Sequence, residues 1–398
     1  MPVIVQKFGG TSLKDSLSRA FALRHIRRAL EEGKWVVVVV SAMGRKPSPY
    51  ATDTLIELMK DSGEPVSPRE LDLMVSCGET ISTALIAHAL SSRGCPAIGL
   101  TGGQAGVITD GKYGEAEIIE VRAERTLRHL QERKAVVVAG FHGVTPQGEI
   151  TTLGRGGSDT SAVALGVAVS AEMVEIYTDV EGVGLVNPTL VPQAPYLKEI
   201  DFQDMLQLAT EGCRVVHPRA IKAALEGNLP LRVRSTFSQK QGTLIHKIPP
   251  SQKGESPFIG IADQQELGLI TYTPVEKERK ETLSKVEEAL APFWHELLPS
   301  EGEELSFLVR EDIYYPSLLE ALYQIGFPHQ LRTGLAKLTI LYHKSPPPEL
   351  QPRLTALLEE HGLHPLRTFS QASKVKLLLP QASLPEAASL IYQRIFLA

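Results

Sequence analysis

Several short stretches of the sequence combine glycines with charged or hydroxyl side chains, a combination suited to binding phosphates and small ions. The first is Lys7-Phe-Gly-Gly-Thr-Ser12, directly after the apolar run Val3–Val5. Glycines let bare backbone N–H groups approach an anion, and a neighbouring lysine supplies a point charge for phosphate oxygens. A tight turn after a strand-end lysine would explain the same residues. The spacing is not that of the Gly-x-x-x-x-Gly-Lys-Ser/Thr phosphate loop.

The second stretch is Thr151–Ser161, in which Arg155 lies among three glycines. Ser158 or Asp159, at the expected start of a helix, could serve only as an N-cap worth about 1 kcal/mol. Capping does not explain an arginine embedded between glycines. A planar guanidinium at that position is well suited to holding a carboxylate through two hydrogen bonds.

Glu79 closes the third stretch, Ser76-Cys-Gly-Glu79, which is expected to open a helical run. It could be an ordinary acid of the first helical turn, favoured there by the helix dipole. As a site residue, its carboxylate would instead bind a substrate ammonium group.

The fourth stretch, Tyr177–Val183, places Thr178 and Asp179 at the carboxyl end of an apolar strand. Contacts to adenosine or to a metal-bound phosphate are plausible there, although Asp and Gly are also common in ordinary turns. Ligands of parallel α/β sheets lie beyond the carboxyl ends of the strands, where these stretches are expected to lie.

Alternating apolar strands and helical segments over the first 245 residues would position these stretches. The strands Trp35–Val40 and Ala135–Ala139 are apolar throughout, which indicates a mainly parallel sheet covered on both faces, the three-layer α/β class. The other strands expected are Val3–Val5, Pro96–Leu100 and Met173–Thr178. Helices are expected at 16–32, 55–60, 71–92, 115–132, 160–169 and within 202–225.

The composition changes at the linker Ile245–Pro257, and the rest of the chain forms a weak internal repeat. Two units of roughly sixty residues, each in strand–helix–strand–helix order, predict paired small α+β modules. The strands expected are 267–273, 305–309, 336–342 and 375–379, and the helices 278–291, 315–325, 350–360 and 385–396.

The bulk composition is that of a soluble globular protein. The chain has 398 residues, of which 43% are hydrophobic and 22% charged, enough for two or three domains. A net charge of -5 gives no reason to expect nucleic acid or an anionic membrane as a partner. Three separated cysteines indicate reduced thiols in a cytosolic protein, and we expect neither a signal peptide nor a membrane span.

Together these stretches resemble the motifs of the bacterial aspartokinase family. The matching segments are Lys7–Ser12, Val40–Gly44, Ser76–Thr80, Leu153–Thr160, Tyr177–Val183, Val215–Ala220 and Leu231–Phe237, in the family's order. The resemblance implies the amino-acid kinase fold over residues 1–245, followed by ACT-like (ferredoxin-like) modules at 258–335 and 336–398. It also implies phosphorylation of the side-chain carboxylate of L-aspartate by Mg-ATP, the first step towards lysine or diaminopimelate, threonine and methionine.

The resemblance further implies roles for individual positions. Those implied to contact ATP are Lys7, Phe8, Gly9, Gly10, Thr178, Asp179 and Arg214. Those implied to contact aspartate are Ser41, Thr52, Glu79 and Arg155, with Glu79 at the ammonium and Arg155 at a carboxylate. Lys7, Arg155 and Asp159 are implied to act in the transfer itself, and no residue is expected to ligate a metal directly. No general base is needed, because a carboxylate is already ionised at pH 7.

The sequence departs from the family's pattern at several places. Arg214 replaces a usual lysine, and Asn187-Pro-Thr replaces a usual Asp-Pro-Arg, so both changes bear on nucleotide affinity. The loops expected to bind a regulatory amino acid, Thr273–Lys280 and Tyr342–Pro348, lack the family's glycine. We therefore expect the modules to form a homodimer while feedback inhibition by lysine, threonine or diaminopimelate is weakened or lost. An unusual loop that still binds its effector is the alternative.

Two other functions compete with an active aspartokinase. One is a kinase of similar fold that acts on a different acidic substrate. Such a substrate could differ from aspartate by a single methylene group. The other is a catalytically weak paralogue that serves as a regulatory or assembly partner. The changes at Arg214 and Asn187 are its only support, and the retained catalytic set counts against it.

Overall fold

The computed structural model describes residues 1–63, 65–249, 251, 256–274, 279–299, 304–311, 315–326 and 329–396. The chain forms two compact units. The first contains Met1–Val183, Tyr196–Thr210 and Arg214–Gly254, and the second contains Gly184–Pro195, Glu211–Cys213 and Glu255–Ala398. Two short segments from the first 245 residues therefore belong to the second unit.

The described residues of the first unit form twelve strands in two sheets. They are β1 (Val3–Phe8), β2 (Trp35–Val40), β3 (Ala97–Leu100), β4 (Val107–Thr109), β5 (Ile118–Val121), β6 (Ala135–Ala139), β7 (His142–Val144), β8 (Ile150–Thr152), β9 (Met173–Thr178), β10 (Glu199–Asp201), β11 (Leu231–Ser235) and β12 (Thr243–His246). The main sheet has the order β10-β12-β11-β9-β1-β2-β6-β3, and its neighbours are parallel except for β11 and β12. The smaller sheet has the order β5-β4-β7-β8.

Helices flank the main sheet and bury its apolar strands. The helices of this unit are α1 (Gly10–Leu13), α2 (Ser16–Glu31), α3 (Thr52–Asp61), α4 (Pro68–Ser91), α5 (Glu124–Gln131), α6 (Gly157–Ala168), α7 (Phe202–Thr210) and α8 (Pro218–Glu226). Val36 to Val40 and all of β6 are fully buried, as expected for strands covered on both faces. The three-layer α/β fold predicted from the sequence is confirmed.

Helix α4 is long and apolar enough, by length and composition, to cross a membrane. Half of its most apolar stretch is buried inside the fold, where α4 packs on β3 and β6. The core helix of a soluble protein passes the same test, so the composition of α4 is weak evidence for a membrane span.

The helix predicted over residues 115–132 is wrong in its first half. Residues 118–121 form β5, which pairs antiparallel with β4, and the helix α5 begins only at Glu124. Ile118, Ile119 and Val121 are β-branched and favour a strand when a partner strand is available. The partner lies elsewhere in the chain, so local periodicity could not reveal this small sheet.

In the second unit, the residues that the structure describes form a six-stranded antiparallel sheet in the order β14-β15-β13-β16-β18-β17. Its strands are β13 (Phe258–Tyr272), β14 (His295–Leu297), β15 (Leu305–Arg310), β16 (His329–Tyr342), β17 (Arg367–Gln371) and β18 (Lys374–Pro380). Its helices are α9 (Arg279–Leu290), α10 (Tyr315–Gln324), α11 (Leu350–Glu360) and α12 (Leu384–Ile391), followed by a π-helical turn Tyr392–Phe396.

The two predicted repeats share this sheet. Strands β13 and β16 pair along nearly their whole length, and the predicted module boundary at residue 336 falls within β16. The edge strands β14 and β17 were not predicted, because they are short and weakly apolar. The division into separate modules stays a prediction.

Candidate active site

Lys7 lies near the carboxyl end of β1, in the middle of the main sheet between β2 and β9. Its Nζ is 2.7 Å from Oδ1 of Asp159, in the first turn of α6. The side chains are only 13% and 10% exposed, so solvent screens this ion pair weakly. The structure thus joins two residues predicted from separate motifs.

Gly9 and Gly10 follow β1 and differ in what surrounds them. A Cβ added at Gly10 would lie 2.7 Å from the carbonyl oxygen of Gly44 and 2.8 Å from that of Ala42. Glycine is therefore required at position 10 by the close approach of the loop after β2. A Cβ at Gly9 would meet Lys7 Nζ at 3.6 Å, an ordinary contact, so this protein's own packing does not demand glycine there.

Ser41, directly after β2, brings a second loop to the same sheet edge. Its Oγ donates to Oγ of Ser158 at 3.0 Å, and Ser158 is the neighbour of Asp159 on α6. The sequence prediction treated Ser158 only as a helix cap and missed its contact with Ser41. Its position next to Asp159 was the available signal.

Glu79 is the buried carboxylate of the site. It is 2% exposed, and its Oε1 accepts the backbone N–H of Ala42 at 2.9 Å. Its Oε2 is also buried and has no hydrogen-bond partner among the described residues. Burial raises the pKa of Glu79 to about 8, because desolvation outweighs the hydrogen bond from Ala42. A cation that contacted this oxygen would favour the ionised form of Glu79.

The expectation that a helix opens at Ser76 is wrong. Helix α4 begins at Pro68, so Glu79 lies in its middle and cannot be an ordinary acid of the first turn. A Cβ added at Gly78 would lie 2.8 Å from Cβ of Ala42. Glycine at position 78 therefore allows α4 to pack closely against the loop after β2. The packing of that loop places Ala42 N–H on Glu79.

Arg155 is exposed on the loop between β8 and α6. Gly154 and Gly156 have φ angles of 68° and 71°, a conformation that favours glycine. A Cβ at Gly156 would also lie 2.1 Å from the His217 ring. Backbone geometry therefore explains the two flanking glycines. Arg155 lies between them, in a turn whose conformation favours glycine on both sides.

Thr178 and Asp179 follow β9, which neighbours β1. Thr178 Oγ1 donates to Asp179 Oδ1 at 3.0 Å, and Asp179 is exposed. The ring of Phe8 stacks on that of Tyr177 with centroids 4.6 Å apart, and Gly9 N–H donates to the Tyr177 carbonyl oxygen at 3.3 Å. The first and fourth stretches are therefore adjacent, as the sheet order requires.

A buried polar network that the sequence prediction missed lies beneath this edge. Glu175 accepts hydrogen bonds from Gln6 (2.9 Å), Tyr177 (2.9 Å) and Arg234 (2.8 Å). Desolvation opposes the charged form of Glu175, but the Arg234 guanidinium and the hydrogen bonds from Gln6 and Tyr177 hold the pKa of Glu175 below its usual range. The network ties β1, β9 and β11 together, and no local motif signals it.

Two other predicted positions, Thr52 and Arg214, are not joined to this set by a hydrogen bond among the described residues. Thr52 is the first residue of α3, and Arg214 is exposed between α7 and α8. Among the described residues, neither forms a hydrogen bond with Lys7, Glu79 or Asp159. Their predicted roles therefore remain predictions.

Asn187, one of the departures from the family's pattern, belongs to the second unit. Its Nδ2 donates to Asp263 at 2.9 Å, and its Oδ1 accepts from the N–H and the hydroxyl of Thr189. An aspartate at position 187 would place a like charge beside Asp263. The asparagine therefore fits its own surroundings.

The sequence of this chain is similar to that of a known protein family. Residues 2–235 match the model of the amino acid kinase family, and the chain belongs to that family. Within it the chain belongs to the aspartokinases. It is 41% identical to the aspartokinase of Geobacillus stearothermophilus over 354 residues, which cover 86% of this chain and 84% of that protein. It is 50% identical to Aspartokinase 1 of Bacillus subtilis over 258 residues, 65% of this chain and 64% of that relative.

Solved structures give the same fold. Escherichia coli aspartokinase III in complex with aspartate and ADP has a TM-score of 0.79 and 23% identity, covering 99% of this chain and 100% of that one. The aspartate kinase from Synechocystis is 32% identical with a TM-score of 0.55, covering 98% of this chain and 69% of that one. The amino-acid kinase fold predicted for this chain is thereby confirmed.

Proposed function

We propose that this protein transfers the γ-phosphoryl group of ATP to the side-chain carboxylate of L-aspartate, giving 4-phospho-L-aspartate. The observation that carries the proposal is Glu79, a buried carboxylate with one oxygen bound to Ala42 N–H and the other without a hydrogen-bond partner in the part of the chain that the structure describes. An ammonium group of the substrate would satisfy that oxygen and lower the cost of the buried charge. Arg155, on a separate loop, would bind the α-carboxylate through two hydrogen bonds.

Lys7 would act on the phosphoryl group. Its ammonium lies beside Gly9, where a Cβ would be 3.6 Å from Nζ, and the phosphate oxygens are proposed to bind at this loop. An oxygen of the aspartate side chain attacks the γ-phosphorus, and the bond from that phosphorus to the β–γ bridging oxygen breaks as ADP leaves. No proton is transferred, because the attacking carboxylate is already ionised. Lys7 would neutralise charge on the transferred group, while Asp159 fixes the position of the ammonium.

Magnesium would enter with the nucleotide. The described residues contain no group of three or more His, Cys, Asp or Glu side chains that could hold a metal ion. Mg²⁺ commonly keeps several waters and binds substrate phosphates rather than a dedicated protein cage. When bound, it neutralises charge on the β- and γ-phosphates.

The direct test is ATP turnover with L-aspartate, with the acyl phosphate trapped by hydroxylamine. We expect hydroxamate formation that requires both ATP and L-aspartate, with L-glutamate and D-aspartate as comparison substrates. Efficient turnover of L-glutamate alone would favour the kinase with a different acidic substrate. No hydroxamate with any substrate would favour the catalytically weak paralogue.

Replacing Gly9 by alanine should weaken ATP binding without disturbing the fold, because the added methyl group enters space that the protein does not fill. We expect the KM for ATP to rise about tenfold or more and the melting temperature to stay unchanged. Gly10→Ala is the matched contrast, since its Cβ meets backbone oxygens at 2.7 and 2.8 Å. It should destabilise the fold by about 1–3 kcal/mol. An unchanged KM for ATP in G9A would contradict a phosphate site at this loop.

We also propose that feedback inhibition is weakened. Pro347 and Pro348 are exposed in the second predicted effector loop and supply no N–H donors. Within the first loop, residues 275–278 lie outside the described part of the chain. Adding lysine, threonine or diaminopimelate to the hydroxamate assay is therefore expected to leave the rate unchanged. Suppression by any of them would show that an effector loop still works.

The second unit is also proposed to form a homodimer in the cytosol. Tyr323 and Leu331 are exposed apolar residues of this unit, with exposed fractions of 80% and 39%. The three cysteines are free, as is typical of a reducing compartment. Light scattering should give twice the chain mass of 43.4 kDa. A monomer mass at assay concentration would contradict the dimer.

A further inference from the structure

A buried carboxylate that has no place in the proposed chemistry lies at the base of the loop carrying Arg155. Asp72, on α4, is 2% exposed. Its Oδ2 accepts the backbone N–H groups of Gly114 (2.9 Å) and Thr152 (2.8 Å), and its Oδ1 accepts the Thr152 hydroxyl (2.8 Å). Burial raises the pKa of Asp72, while the hydrogen bonds favour its ionised form. The N–H groups of Gly114 and Thr152 and the hydroxyl of Thr152 therefore all donate to one carboxylate.

These hydrogen bonds fix the chain just before Arg155. Thr152 is the last residue of β8 and lies three residues before the arginine. The Asp72 carboxylate accepts the N–H of Thr152. The carbonyl oxygen of Thr152 accepts the N–H of Ala116 at 2.8 Å. The next residue, Leu153, is bonded at both its N–H (2.8 Å) and its carbonyl oxygen (3.0 Å). The loop therefore leaves a rigid base before it reaches Arg155.

The second partner of Asp72 contacts the same loop. A Cβ added at Gly154 would lie 2.9 Å from the carbonyl oxygen of Gly114, so the two backbones are in close contact. Asp72 binds the N–H of Gly114 and thereby holds this turn against the first glycine of the Arg155 loop. One carboxylate thus supports the loop both at its base and along its side.

Asp72 and Glu79 lie seven residues apart on α4, which places them on one helix face about 10 Å apart along the axis. We propose that Asp72 is a positioning residue that sets Arg155 for the substrate carboxylate, so that one helix supports both ends of the substrate site. This inference rests on the proposed binding of aspartate by Glu79 and Arg155. Asp72 itself touches neither substrate nor nucleotide in this scheme.

The test is Asp72→Asn, assayed for hydroxamate formation with full kinetics. An asparagine offers one acceptor oxygen and turns an NH₂ group towards donors, so the loop base loses at least one hydrogen bond. We expect the KM for aspartate to rise about tenfold or more, with a smaller change in kcat and an unchanged KM for ATP. Asp110→Asn is the matched control, because Asp110 also accepts backbone N–H groups, those of Lys112 and Glu117 in the neighbouring turn, but its side chain is 25% exposed whereas Asp72 is buried.

A double-mutant cycle with Arg155→Ala separates positioning from general stability. If Asp72 acts through Arg155, D72N should raise the KM for aspartate little further once R155A is present. Full additivity of the two changes would overturn the positioning role and leave the role of Arg155 intact. An unchanged KM in R155A alone would overturn the role of Arg155, and the inference with it.

Thr152→Val provides a milder variant in case D72N does not fold. It removes only the hydroxyl hydrogen bond to Asp72 and keeps the backbone one. We expect a rise of about threefold in the KM for aspartate, again absent in the R155A background. The same rise with Arg155 absent would contradict the inference.

Discussion

Lys7→Met is expected to lower the kcat for acyl phosphate formation by about 10³-fold or more. Lys7 is a half-buried cation beside the backbone at Gly9, and methionine keeps much of its length but none of its charge. Charge that develops on the transferred phosphoryl group would then lack its protein partner. The KM for aspartate should change much less, because Lys7 is not proposed to contact that substrate.

The change also leaves Asp159 without its partner at 2.7 Å, so stability must be measured beside activity. Lys14→Met is the control, since Lys14 is an exposed lysine that follows the same short helix. The double variant K7M with Asp159→Asn removes the unpaired carboxylate and should recover stability but not kcat. A K7M protein that retains more than about a tenth of the kcat would contradict a role for Lys7 in transfer.

Glu79→Gln is expected to lower kcat/KM for aspartate by about 10²–10³-fold and at the same time to stabilise the unliganded protein. Glutamine can still accept the N–H of Ala42 but offers no charge to an ammonium group. Because the pKa of Glu79 is raised from 4.5 to about 8 in the fold, ionising it costs the folded state stability. Glutamine removes that cost.

The pH dependence has a definite sign. A raised pKa means that the folded state binds the proton more tightly, so this group's contribution to stability is lost as pH rises from the unfolded pKa towards about 8. Near pH 4, residue 79 should therefore contribute similarly to the free energy of unfolding in the wild type and in E79Q. Near pH 9 the variant should be more stable by about 1–3 kcal/mol in urea unfolding.

Glu172→Gln is the control for E79Q, because Glu172 is exposed and should alter neither activity nor the pH profile. Aspartate binding should also release protons from the wild type near pH 7, since an ammonium partner favours ionised Glu79. Calorimetry in buffers of different ionisation enthalpy measures that release, and E79Q should lack it. Equal proton release by both proteins would contradict contact between Glu79 and the ammonium group.

Local residue patterns were sufficient to predict five of the eight strands of the main sheet, β1, β2, β3, β6 and β9, but not β10, β11 and β12. Strands such as Trp35–Val40 are apolar on both faces, and that property alone requires helical layers on either side. Because such strands are parallel, their carboxyl ends lie at one edge of the sheet, and the motifs at Lys7 and Thr178 were expected at that edge. The apolar character of such a strand is a property of that segment alone. The burial of the strand can therefore be predicted from its own residues.

Long-range contacts decided the rest. The pair Lys7–Asp159, the N–H of Ala42 on Glu79 and the convergence of Thr152 and Gly114 on Asp72 each join segments distant in the chain. The strand β5 likewise depends on a partner, since Ile118 to Val121 would otherwise extend a helix. Hydrogen bonds of this kind leave no periodic trace in the sequence, because each requires two particular backbones to approach in three dimensions. The charge state of Glu79 follows from the same cause, since only the folded packing removes its water.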